Sequence, residues 1–168
     1  MEATGDEEQL DILPAWSLCL LERFDKLQER LILNDIDMLE PSPDDGNTAL
    51  HWLIKSTSNA FALREKILSE YLVDNPQRCS PTNLNQETPL HTAILSDSAF
   101  MAKMLIEHGA DLTIRDDLER TPLDLAKELN RTEVVAILRP TSERPPEHSI
   151  EILANAREDE GFILTDVL

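Results

Sequence analysis

Glycine and aromatic residues are scarce: four Gly in 168 residues, with four Phe, two Trp and one Tyr. Together with ten Pro and many Leu and Ile, this balance favours short helices over strands. No glycine-rich phosphate loop, strained nucleophile turn or Cys/His cluster occurs, so neither a cofactor, a metal nor an enzymatic centre is expected. The two cysteines, Cys19 and Cys79, lie far apart and lack metal spacing, which points to buried thiols in a reducing compartment. No apolar run approaches the ~18 residues of a membrane span, and the acidic N-terminus is unlike a signal peptide. A soluble protein of the cytoplasm, with the nucleus as a second location, is expected.

Positive charge is also in short supply, at 15 Lys and Arg against 33 Asp and Glu for a net charge of -18. Residues 1–47 carry 13 acids against 3 bases, residues 48–140 carry 13 against 10, and residues 141–168 carry 7 against 2. The excess therefore sits at the two ends. Phosphates would meet like charge, which disfavours direct nucleic-acid binding. A basic partner is the natural complement, although solubility alone would also account for the acidity.

What the chain does contain is a repeated phrase. Thr88-Pro89-Leu90-His91-Thr92-Ala93 recurs 33 residues later as Thr121-Pro122-Leu123-Asp124-Leu125-Ala126, and 40 residues earlier as Thr48-Ala49-Leu50-His51-Trp52-Leu53. Threonine caps a helix and proline fits its first turn, where no backbone donor is needed. Leu90, Ala93 and Ile94, then Met101, Met104 and Leu105, predict two short helices packed as a hairpin, ended by Gly109 in the left-handed region. A period near 33 with Thr-Pro-Leu-His is the signature of the ankyrin repeat, whose units bury their apolar faces only by stacking. The expected fold is all-α: an ankyrin-repeat solenoid with a helical N-terminal cap.

In order, residues 1–9 are expected to be disordered. Residues 10–43 form a cap or degenerate repeat, with Trp16, Leu18, Leu20, Leu21, Phe24, Leu27, Leu31 and Ile32 at helical spacing and an acidic outer face. Residues 44–139 hold three repeats, and 140–168 form an acidic linker and tail. The apolar end Phe162–Leu168 either covers the last repeat or serves as a docking peptide. The seven extra residues between the first two threonines fall around Ser56–Glu65, and shared between two helices they would lengthen each by about one turn. Gly46 suits a finger tip; Gln86 and Glu119 hold the equivalent sites, where a side chain resists positive φ and predicts looser or differently shaped fingers. Asn130 is a candidate left-handed turn residue.

The runs Asp45–His51, Asn83–Ile94 and Gly109–Asp116, with the lengthened first hairpin, resemble the inhibitor-of-NF-kappa-B (I-kappa-B) family. The resemblance covers about residues 44–138. Members usually carry six or seven repeats, whereas this chain has room for about four, which is similar to short inhibitor-like ankyrin proteins of viruses and parasites. The resemblance implies a non-enzymatic module, a monomer when free, that sequesters a Rel-type transcription factor by covering a basic segment or its DNA-binding surface. It also implies that His51 and His91 hydrogen-bond between adjacent loops. A scaffold or assembly subunit docking through its acidic ends and tail is the alternative. The binding surface of such a stack is its concave side. Counting from each threonine gives Asp44, Asp45, Asn47, Trp52 and Lys55; Leu84, Asn85, Glu87, Thr92 and Leu95; and Asp117, Leu118 and Arg120, continuing to Leu125 and Glu128. Trp52, an aromatic anchor beside acidic fingers, suits a basic, partly apolar peptide; alternatively, it packs against the cap helix.

Overall fold

The computed structural model describes residues 9–139, and the expectations for residues 1–8 and 140–168 lie outside them. Among the described residues, after a helical Gln9 and Leu10, eight helices follow one another: α1 Ala15–Leu20, α2 Phe24–Ile32, α3 Ala49–Lys55, α4 Phe61–Asp74, α5 Pro89–Leu95, α6 Ala99–Glu107, α7 Pro122–Glu128 and α8 Thr132–Leu138. A single 3-10 turn, Pro76–Arg78, follows α4, and no strand occurs among the described residues. The helices pair as α1–α2, α3–α4, α5–α6 and α7–α8. Successive pairs stack, so that α1, α3, α5 and α7 form one row and α2, α4, α6 and α8 the other. The all-α stack expected from the repeated phrase is what the chain forms.

Helices of six or seven residues are too short to persist alone in water. Burial between rows supplies the stability: Leu18, Leu27, Leu50, Leu53, Leu90 and Ile94 are fully enclosed, each contributing about 1.5–3 kcal/mol relative to exposure. Cys19 and Cys79 are free, buried thiols, and burial pushes the Cys19 thiol far above its ordinary pKa. The outer side of the first pair is mixed rather than simply acidic, since Asp25 and Glu29 are exposed together with Leu20, Leu21, Ile32 and Leu33.

Three of the four pairs turn identically. Glu22, Asp97 and Asn130 sit at φ 56, 55 and 56. Around them Arg23 N–H donates to Leu18 O, Ser98 N–H to Ala93 O and Arg131 N–H to Ala126 O, which closes the inner helix with a left-handed cap. Asn130 is thus the turn residue its type suggested, and the α1–α2 pair is built like a repeat.

The α3–α4 turn differs, and it shows where the seven extra residues went. Inner helix α3 has seven residues, the same as α5 and α7, so it is not lengthened as expected. Outer helix α4 has 14 residues against nine in α6, and the connection Ser56–Ala60 is two residues longer than Ser96–Ser98. The reason lies in Arg64. Its guanidinium donates to Leu53 O at 2.9 Å, to Ser56 O, and to Ser58 O at 3.3 Å, so it closes the end of α3 in place of a left-handed turn. The helix therefore stops on schedule, and the surplus goes into the loop and α4. Hydrogen bonds from a charged donor are worth about 1.5–3 kcal/mol each, less what water returns. Arg64→Met should lower the unfolding free energy by about 3 kcal/mol in urea titration, whereas the exposed Lys66→Met should change it by less than about 0.5 kcal/mol.

Candidate functional site

Each inner helix of a threonine-led repeat starts from a reciprocal cap. Thr48 N–H donates to His51 Nδ1 at 3.1 Å, Thr88 N–H to His91 Nδ1 at 3.2 Å, and Thr121 N–H to Asp124 Oδ2 at 3.1 Å. Since a backbone N–H can only donate, both histidine Nδ1 atoms must accept, which leaves the proton on Nε2. His51 Nε2–H then donates to Glu87 O at 3.0 Å, and His91 Nε2–H to Arg120 O at 3.2 Å. Each imidazole thus joins its own helix start to the finger of the next repeat, the role the resemblance implied. Both rings are fully enclosed. Burial drives the His51 pKa down to about 4 and lowers that of His91, because a charged ring would lose its hydration there.

The fingers are held in register by backbone. Leu84 N–H donates to Asp45 O at 3.0 Å, and Asp117 N–H to Asn85 O at 2.9 Å. Gln86 and Glu119 adopt φ 58 and 60, close to the 71 of Gly46, so the second and third fingers are not loose for want of glycine. Buried Asn83 and Asp116 explain this. Asn83 Oδ1 accepts from the N–H of Asn85 and of Glu87, and Asp116 Oδ1 from that of Leu118 and of Arg120. Such side-chain turns repay the left-handed strain. Asn83 and Asp116 were missed as organising residues, although an Asn or Asp five positions before the threonine recurs in both copies. The first finger is the one of different shape: it closes from Ser42 N–H to Asn47 O, one residue longer than Asn83 to Glu87, with Pro43 inside it.

The expected surface residues divide accordingly. Asp44, Lys55, Leu84, Asn85, Leu95, Asp117, Leu118 and Glu128 are exposed; Asp45, Trp52, Glu87 and Arg120 are half-buried. Asn47 and Thr92, expected to face outward, are buried, as is Leu125. Asn47 Oδ1 accepts from Asn83 Nδ2 at 2.9 Å, which ties the first finger to the second, and Thr92 Oγ1–H turns back to Thr88 O. Asn83 Nδ2 also holds Glu87 Oε2, while Arg120 lies on Asp116 Oδ2 at 2.8 Å and Glu128 Oε2 at 3.1 Å. Burial opposes ionisation of Asp116, yet the Arg120 bonds hold its carboxyl below the usual range. What remains free on the finger tips is an acidic row with two exposed leucines, Leu84 and Leu118 at 70% and 64% exposure.

Trp52 lines a cleft of about 260 Å3 with Cys19, Leu20, Glu22, Lys55, Ser56 and Thr57. The Lys55 ammonium stands 4.9 Å from its ring centroid. The indole is half-sunk between the first two helix pairs, with Lys55 partly covering its face.

Among the described residues, no group of acidic, His or Cys side chains could hold a metal ion, and no helix is long and apolar enough to cross a membrane. The family model for ankyrin repeats (3 copies) matches residues 19–116 and 61–146. An ankyrin repeat protein of Fowlpox virus (strain NVSL) is 31% identical over 128 residues, covering 72% of this chain and 36% of the viral one. NF-kappa-B inhibitor alpha of Gallus gallus is 33% identical over 110 residues, 66% of this chain and 33% of the inhibitor. Alpha-latrotoxin-Lh1a of Latrodectus hasselti is 37% identical over 60 residues, 36% of this chain and 4% of the toxin. The chain spans about a third of the viral and avian relatives.

Two measurements test this architecture. A Cβ on Gly46 would lie 2.9 Å from Leu84 N, at φ 71, so Gly46→Ala should cost about 2 kcal/mol and uncouple the first two fingers, seen as faster exchange of the Leu84 amide. His51 is depressed in the fold, so its contribution is full above the unfolded pKa near 6.5 and is lost as pH falls from there towards about 4. His51→Gln keeps an acceptor at the capping position. Between pH 7 and pH 5 the parent should lose about 2 kcal/mol more stability than His51→Gln.

Proposed function

Since this chain belongs to the ankyrin-repeat family of protein-binding modules, we propose that it is a non-enzymatic inhibitor of the I-kappa-B kind, which binds and sequesters a Rel/NF-kappa-B transcription factor in the cytoplasm. The observation that carries this reading is the 33% identity over 110 residues with NF-kappa-B inhibitor alpha. Physical support comes from the finger edge. Asp44, Asp45 and Asp117 offer negative charge along a row whose backbone register is fixed, and Leu84 and Leu118 offer apolar area between them. A basic segment with interspersed apolar side chains complements that row, and its own ordering is repaid by a surface already rigid. Trp52 and Lys55 extend the surface towards the first helix pair, whereas Asn47 and Thr92 contribute from beneath by holding the fingers.

Titration calorimetry of the full chain against a purified Rel-homology region tests the reading. The expected result is a dissociation constant below about 1 μM at physiological salt, weakened at least about tenfold by Asp44→Lys with Asp117→Lys and about threefold by Leu84→Ala. Absence of measurable heat would overturn it. Deleting residues 141–168 separates it from a scaffold that docks through its tail: the inhibitor keeps its affinity within about twofold, and the scaffold loses its association.

A further inference from the structure

Serine or threonine precedes proline at four places in the chain: Ser42-Pro43, Ser80-Pro81, Thr88-Pro89 and Thr121-Pro122. Three of these are committed to the fold. Ser42 is 5% exposed, its N–H donates to Asn47 O, and its carbonyl accepts from Gly46 N–H, which closes the first finger. Thr88 and Thr121 are helix caps, with hydroxyls 2.9 Å from His91 Nδ1 and 2.6 Å from Asp124 Oδ2. The proline after each is the first residue of its helix.

Ser80 differs on every count. It lies in the connection from the 3-10 turn to the second finger, where Ser80–Thr82 belong to neither a helix nor a turn. These three residues make no backbone–backbone hydrogen bond among the described residues. Proline disfavours the helical conformation in the residue before it, which keeps Ser80 extended. Buried Cys79 and Asn83 anchor the segment at its ends, and between them Ser80 is half-buried and Thr82 exposed. Ser80 Oγ accepts from Asp111 N–H at 3.0 Å on the exposed side of the chain, and that bond leaves the hydroxyl hydrogen unused. Eight positions before the next capping threonine, the equivalent residue is Thr113, which is followed by Ile114 and whose hydroxyl donates to Asp111 Oδ1 at 2.7 Å. The second repeat alone thus offers a proline-followed hydroxyl on an extended, accessible backbone.

We propose that Ser80 is a phosphorylation site for a protein kinase that requires proline after its target residue. ATP is the donor: a bond forms between Ser80 Oγ and the γ-phosphorus, the bond from that phosphorus to the ADP oxygen breaks, and the hydroxyl proton passes to a base of the kinase. The product carries about -1.5 to -2 charges at pH 7. Beside it stands Asp111, whose carboxyl the Thr113 hydroxyl and N–H hold below the usual carboxylate range, so it is ionised. The exposed Arg78 lies two residues before the phosphoserine. Repulsion by Asp111 and attraction to Arg78 draw the phosphoryl group off the Asp111 N–H, which releases the bond between the entries to the second and third fingers. The tip residues Asp44, Leu84, Asp117 and Leu118 take no part, so the modification does not depend on what binds there.

The full chain, incubated with ATP and a mitogen-activated protein kinase, tests the site by mass spectrometry of the intact and the digested protein. A single phosphoryl group is expected, located on Ser80, lost in Ser80→Ala and retained in Ser42→Ala. Hydrogen exchange on the phosphorylated chain reads the consequence. The Asp111 amide should exchange at least about fivefold faster than in the unmodified chain, while the Leu84 and Asp117 amides, bonded at the tips, change by less than about twofold. Failure to modify Ser80, or modification of Ser42, Thr88 or Thr121 in its place, overturns the site. An Asp111 amide that exchanges at its original rate overturns the release.

Discussion

A neutral imidazole has one acceptor nitrogen and one donor nitrogen, and this chain uses both at His51 and His91. The acceptor closes the helix start of its own repeat, and the donor reaches a carbonyl of the next finger. Helix capping and repeat stacking are thereby a single bonded system, with one proton position allowed. Most other features follow: the carbonyls of Glu87 and Arg120 must lie where the ring can reach them, so the finger ends are placed before any tip residue is chosen. The Leu84–Asp45 and Asp117–Asn85 backbone bonds then extend that placement outward to the tips. A partner meeting the fingers meets a surface whose ordering cost was met during folding.

The repeated Thr-x-x-His phrase made the inner helices, their caps and the pairing of helices readable in advance, because each of those depends on residues within one turn of each other. Gly109 and Asn130 were readable for the same reason, their left-handed conformations being local properties of residue type. Three features were not. The φ of Gln86 and Glu119 is set by Asn83 and Asp116, which reach past the tip to hold both sides of it, so residue type at the tip misleads. The destination of the seven extra residues depended on Arg64, eleven positions from the carbonyl of Leu53 that it caps. Exposure failed at Asn47 and Thr92, where counting positions along one repeat ignores the neighbour: Asn47 is covered because Asn83 of the next finger binds it. Chemistry within one helical turn was legible, whereas side chains that reach around a finger, back along a helix pair or to the next finger were not, the histidine bonds implied by the resemblance excepted.

Charge is distributed over this scaffold by the same division of labour. Where a carboxylate has a structural duty it is tied down, as Asp116 is by Arg120 and two backbone N–H groups, or Glu87 by Asn83. Asp44 and Asp117 have no such duty and stay exposed at the tips. The acidity left untied at the finger tips is therefore a small part of the total, and composition alone overstates it.

Asp124 shows what happens when the relay loses its histidine. Its carboxylate accepts from Thr121 N–H and, at 2.6 Å, from the Thr121 hydroxyl, which holds its pKa below the usual carboxylate range. The cap is as complete as those of the first two repeats, yet a carboxylate has no proton to hand on. Asp124 is exposed, in contrast to His51 and His91, which are fully enclosed by the finger that follows each. The third inner helix is thus closed by a cap that carries no donor of its own. The histidine relay therefore holds the second and third fingers, at Glu87 O and Arg120 O, while the first finger joins the row through the bonds from Leu84 N–H to Asp45 O and from Asn83 Nδ2 to Asn47 Oδ1.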